Sequence, residues 1–166
     1  MIKTASNLIP NQVVFFCLIL LFTAGASSQT KAQILTTGVA APDKICGKWI
    51  SEEKNVIVQV YKAGNEYNAK LVWFDDADDH SKPMNSRVDY KNPDKKLQNR
   101  KLIGMEVVDN LTYNPATNSW ENGIIYDAKS GHNWSSAAYI TDEGLLKVTG
   151  YWHFKFLGKT MTFKRL

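Results

Sequence analysis

The chain has 166 residues, with 20 Lys+Arg against 16 Asp+Glu and a formal net charge of +4. That length suits one domain, and 44% hydrophobic with 22% charged residues is close to the globular average, which excludes disorder throughout. Two cysteines are too few for a disulfide scaffold or a four-thiolate zinc site, and no apolar run is long enough to span a bilayer as a helix.

The first element is a targeting segment. Val13 to Phe22 is uncharged and apolar, well short of the roughly 20 residues a spanning helix needs. Lys3 stands before it and Ala24-Gly25-Ala26 follows with the small-x-small pattern of a signal-peptidase site. Residues 1–26 are therefore read as a signal peptide and the mature protein as exported, periplasmic or secreted. Cys17 leaves with that segment, so Cys46 cannot form an internal disulfide and reads as a small, half-buried hydrophobe. Residues 27–44 are small and polar without periodicity, which predicts a flexible leader and places the folded domain at 45–166.

Within the domain the apolar pattern has period two, which predicts strands. A short strand surrounds Trp49. Asn55 to Tyr61 and Glu66 to Phe74 form a hairpin about Ala63-Gly64-Asn65, with Tyr67, Ala69, Leu71 and Trp73 on one face. Lys101 to Val108, Trp120 to Asp127, His132 to Thr141, Leu145 to Phe154 and Gly158 to Arg165 complete a set of eight. Tight turns between consecutive strands predict an antiparallel up-and-down barrel, because closure removes exposed edges. A two-sheet β-sandwich is the alternative. Asp75 to Arg100 is too long for a simple connector and is expected to serve a site.

Motifs in order give the chain a resemblance to a family. They are Gly47-x-Trp49, Asp89-x-x-Asn92-Pro93-Asp94, Arg100-x-Leu102-Ile103-Gly104, and Tyr126-Asp127 with Ser130-Gly131. Gly150-Tyr151, Leu157-Gly158-Lys159-Thr160 and Thr162-Phe163-Lys164-Arg165 complete the series. Together they resemble the bacterial exported family known as domain of unknown function twenty-one forty-seven. That resemblance implies an eight-stranded lipocalin-like (calycin) barrel and brings no activity or cofactor with it. Ala128, Asn133-Trp134, Lys159 and Phe163 depart from the usual family pattern. Gly47, Trp49 and Arg165 resemble the structural signature of calycin barrels, with the guanidinium expected on the indole.

Candidate ligand-binding residues at the barrel mouth are Asn92, Asp94, Arg100, Tyr126, Asp127, Tyr67 and Trp73. An amide, a carboxylate and a guanidinium in one loop can orient a polar head group while aromatics line an apolar interior. Each also has a structural reading: Asp94 caps a helical turn over Lys95 to Arg100, and Asp127 accepts N–H groups of its own turn. No catalytic set is expected, since neither Asp127 nor Asp94 sits in a recognisable nucleophile–base motif. The acidic run from Asp75 to His80 fails the EF-hand register: Ser81 falls where glycine is required and Arg87 where glutamate is. No metal and no nucleic acid are expected. Two main readings stand: a non-enzymatic barrel that binds a small hydrophobic or amphipathic molecule, and an envelope structural or interaction module with a filled barrel. A hydrolase using Asp127 or Asp94 is the third. An interior void of roughly 300 Å³ or more would favour the first.

Overall fold

The computed structural model describes residues 41–166, so the signal segment and the leader as far as Ala40 lie outside the described residues. Eight strands follow in order: β1 (Gly47–Ser51), β2 (Val56–Ala63), β3 (Glu66–Phe74), β4 (Glu106–Asn114), β5 (Ser119–Asp127), β6 (His132–Ile140), β7 (Leu146–Tyr151) and β8 (Lys159–Arg165). Each pairs antiparallel with the next, and β8 returns to β1, with Trp49 opposite Arg165 and Ser51 opposite Phe163. The sheet is a closed up-and-down barrel. That last ladder excludes the sandwich, which would leave β1 and β8 as open edges.

The β2–β3 hairpin forms where the sequence predicts it. Its strands are rich in β-branched and aromatic residues, and Gly64 takes the left-handed turn conformation at φ 65°. Tyr67, Ala69 and Leu71 alternate inward as expected. The alternation then breaks. Val58 pairs with Leu71, but Ile57 pairs with Trp73, so Val72 is an extra residue in a β-bulge. Beyond it the faces exchange, and Phe74 rather than Trp73 reaches the interior.

β4 lies later in the chain than the pattern from Lys101 to Val108 suggests. Lys101 makes only an isolated bridge to Val88, and the strand runs on through Asp109 and Asn110 to Asn114. Asn110 holds φ 63°, and the β3–β4 register shifts twice. These irregularities hide the period in the sequence. β7 stops at Tyr151, and the rest of the expected strand crosses the rim, ending in a 3-10 turn at Lys155–Leu157.

Strand order puts the connections 52–55, 75–105, 128–131 and 152–158 at one end of the barrel, the mouth. The other end is closed. Ala41–Ile45, whose residues 41–44 are expected in the leader, is a 3-10 turn that belongs to the fold and plugs this end. Three large buried side chains bond to it: Trp49 Nε1 donates to Ile45 O (2.8 Å), Trp120 Nε1 to Pro42 O (3.0 Å) and Tyr67 OH to Asp43 Oδ1 (2.5 Å). Tyr67 meets Trp120 edge-on at 6.4 Å, which completes an aromatic floor. Burial first, then the Asp43 bond, pushes the Tyr67 phenol well above its usual range; that bond, with Lys62 beside it, holds Asp43 low. Burial raises the Cys46 thiol, so this half-buried residue carries no activated sulfur.

The calycin-type signature forms as expected. The Arg165 guanidinium lies 4.2 Å from the centre of the fully buried Trp49 ring. Its Nη1 donates to Cys46 O (2.8 Å) and its Nη2 to Lys44 O, which ties the last strand to the plug. Gly47 sits under it at φ 137°, where a Cβ would meet Arg165 Nη1 at 2.5 Å.

Candidate functional site

A cavity of 1840 Å³ occupies the barrel interior and its mouth. Small and medium side chains leave this space: Val58, Leu71, Leu111, Ala138, Val148 and Gly150 face it from five strands. Bulky aromatics are concentrated instead at the floor, where Trp49, Tyr67 and Trp120 are buried. The interior wall is therefore mainly aliphatic, with Phe74 and Phe163 among its lining side chains. Near the mouth it changes to Arg87, Lys91, Tyr126, Asp127, Lys129 and Trp134.

The long connection forms a lid with its own internal bonding. Arg87 collects its acidic half. Its guanidinium donates to Asp78 Oδ1 (2.7 Å) and Oδ2 (3.1 Å), to Asp76 O (2.9 Å) and to Lys82 O (2.8 Å). The Arg87 bond holds the Asp78 carboxyl below its usual range. Among the described residues, no group of three or more His, Cys, Asp and Glu side chains could hold a metal ion.

The basic half of the lid is organised by Asp89, which is fully buried. Asp89 Oδ2 accepts from Arg100 Nη2 (2.7 Å) and Asn92 Nδ2 (2.7 Å), and Oδ1 accepts from the Tyr126 hydroxyl (2.7 Å). Three donors on one carboxylate offset the cost of burying its charge. Arg100 also lies 5.6 Å from the Tyr126 ring centre. The phenol of Tyr126 is pushed up to about 12, first by burial and then by the Asp89 bond. From sequence, Asn92, Asp94 and Arg100 are taken as site residues and Asp89 is left out, although Asp89 opens the same motif. The available signal was Asp89-x-x-Asn92, a spacing at which Asn92 N–H closes a turn onto Asp89 O (3.0 Å).

The seven mouth candidates divide. Tyr126 and Asp127 line the cavity. Asn92 and Arg100 turn onto Asp89, and Asp94 caps the 3-10 turn Lys95–Leu97 by accepting from Lys96 N–H (2.9 Å). Tyr67 belongs to the floor, and Trp73 leaves the wall through the bulge. Asp127 accepts from Lys129 N–H (2.9 Å) and Ser130 Oγ (2.7 Å), the self-bonded turn expected of it. Gly131 in that turn, at φ 75°, lets the Lys91 carbonyl pass where a Cβ would stand. Lys91 Nζ donates back to Lys129 O (2.8 Å). The lid is thus fastened to the β5–β6 turn, and the mouth is a built structure.

The comparisons agree with this geometry. A family model described as uncharacterized protein conserved in bacteria (DUF2147) matches residues 47–165. Among solved structures, the chain is similar to HP1028 of Helicobacter pylori, described as belonging to the lipocalin family. The TM-score is 0.62 at 24% identity, covering 78% of this chain and 84% of that one. No curated protein matches significantly.

Proposed function

This chain belongs to the bacterial DUF2147 family, and from its barrel we propose a non-enzymatic protein that holds one small, partly apolar molecule. The observation that carries this reading is the 1840 Å³ cavity with its largely apolar wall of aliphatic side chains together with Phe74 and Phe163. Drug-sized ligands occupy sites of about 300–1,000 Å³, so the space suits an extended molecule or one with a bulky end at the mouth. A filled barrel, the module reading, would need large side chains where this chain has Val58, Ala138, Val148 and Gly150. The polar end of the ligand is assigned to the mouth beside Tyr126, Lys91 and Lys129. The hydrolase reading gains no support: Asp127 is engaged by its own turn and Asp94 by its 3-10 turn. Export belongs to the same proposal and rests on the apolar segment Val13 to Phe22 with Ala24-Gly25-Ala26 after it.

A fluorescent fatty-acyl probe tests the proposal directly. It should brighten on binding at a single site and be displaced by unlabelled apolar competitors. Native mass spectrometry of protein taken from its own envelope should show a co-purifying mass. Saturable probe binding that survives filling of the cavity would overturn the reading.

A further inference from the structure

The barrel rim carries a second feature that the cavity does not absorb. Between β7 and β8 the chain exposes four large apolar side chains in six residues: Trp152 (63% exposed), Phe154 (58%), Phe156 (81%) and Leu157 (74%). Single exposed apolar residues need no explanation, but a contiguous group does.

The group is ordered by ring-to-ring contact. Trp134 meets Trp152 at 5.7 Å, Trp152 meets His153 at 5.7 Å, His153 meets Phe154 at 6.4 Å, and Phe154 stacks on Phe156 at 5.5 Å. The series starts at a cavity-lining residue, Trp134, and ends in solvent, while Trp152, Phe154 and Leu157 border the same opening. The backbone is partly self-satisfied, since Leu157 N–H donates to Phe154 O (3.1 Å) and Gly158 N–H to Lys155 O (3.1 Å). A segment entering an apolar medium needs that economy of free polar groups.

Charge narrows the partner. From Gly144 to Leu166 the chain contains no acidic residue, and Lys155 and Lys159 stand within and beside the apolar group. Lys155 is half exposed and lies 3.4 Å from Glu121. Two of the four aspartates in the acidic half of the lid are paired within it, Asp78 by Arg87 and Asp79 by Lys82. Aromatic rings interleaved with lysines are the composition of a surface that sits at the headgroup level of a bilayer. Each lysine near an anionic leaflet adds to the attraction.

We propose that the rim segment Trp152–Leu157 docks on an anionic phospholipid bilayer, with Phe156 and Leu157 inserted and Lys155 and Lys159 at the phosphates. The cavity opening then faces the membrane. Docking does not require the cavity to be occupied, so it can stand or fall apart from the ligand proposal.

The test is flotation of the full mature protein with vesicles of phosphatidylcholine, alone or mixed with phosphatidylglycerol. The protein should float with the mixed vesicles and less with the neutral ones. Phe156→Ser with Leu157→Ser should weaken partition roughly ten- to hundredfold, as expected for loss of one or two buried apolar side chains. Lys155→Glu with Lys159→Glu should abolish the anionic preference. Brominated lipid in the same vesicles should quench wild-type tryptophan fluorescence, and Trp152→Phe should reduce that quenching, with Trp134 beside it as the remaining mouth reporter; this measurement needs no altered fold at the tip. Failure of the wild type to float, equal flotation of the serine variant, or quenching undiminished in Trp152→Phe would each overturn the proposal. So would a dimer in light scattering that the serine variant dissociates, which would assign the patch to a second copy.

Discussion

Gly47→Ala isolates the clamp that closes the barrel. Gly47 holds φ 137°, a conformation that costs a residue with a side chain about 1–3 kcal/mol. The added Cβ would lie 2.5 Å from Arg165 Nη1, so the guanidinium must move away. That end is flexible, so the steric cost is small, but the displaced group leaves the Trp49 ring and the carbonyls of Cys46 and Lys44. The stack is worth about 1–2 kcal/mol. Because Arg165 is exposed, the two hydrogen bonds add only about 1 kcal/mol after solvent screening. The sum is about 3–6 kcal/mol, read as a lower urea midpoint at unchanged slope. In an Arg165→Ala background the same glycine change should cost only its backbone share, about 1–3 kcal/mol. The reasoning is refuted if Gly47→Ala costs the same in both backgrounds to within about 0.5 kcal/mol, the range of simple additivity.

Val148→Trp should narrow the cavity and weaken binding of the acyl probe with little loss of stability, since the wall has room for the indole; equilibrium titration with a melting curve checks both. Arg100→Ala strands the buried Asp89 carboxylate and should cost about 3–5 kcal/mol in urea denaturation while probe affinity holds; the opposite pattern would return Arg100 to a head-group role. Tyr126 binds its proton more tightly folded than unfolded, so its contribution is complete below about pH 10 and is lost as pH rises toward about 12. Tyr126→Phe should flatten that alkaline slope, and phenolate absorbance should show one fewer late-titrating tyrosine. N-terminal sequencing of the exported protein should begin near Ser27 or Gln33.

The barrel was legible because its information is local. Alternation in Glu66 to Phe74 and turn residues such as Gly64 and Gly131 do not depend on distant partners, and Gly47, Trp49 and Arg165 mark the closing ladder. What escaped was set by the partner strand. The bulge at Val72 exists only in the pairing of β3 with β2, so period two carried Trp73 to the wrong face. Asn110 in β4 breaks the period in the same way. The site was half legible: Asp94 and Asp127 bond within their own turns, as neighbouring residues can. Asp89 meets Tyr126 across the fold, and no spacing rule reports that contact.

The two ends of the barrel divide stability from access. At the floor, tryptophan, tyrosine and arginine side chains tie β1, β3, β5 and β8 to a single 3-10 turn, so the ladder can close without a disulfide. The interior above it can then be lined by small aliphatic residues and need not be filled. A chain that relied on its interior for stability could not keep such a space, because each missing contact would weaken the fold. At the mouth the constraint is reversed. There the polar groups of the lid bond to one another through Arg87 and Asp89, and the adjoining rim segment leaves its aromatics uncovered. These bonds engage the lid's polar groups with one another and with Tyr126. An opening held in this way can accept an apolar molecule without first unfolding a cap, so probe association should be fast and limited by the rim rather than by lid motion.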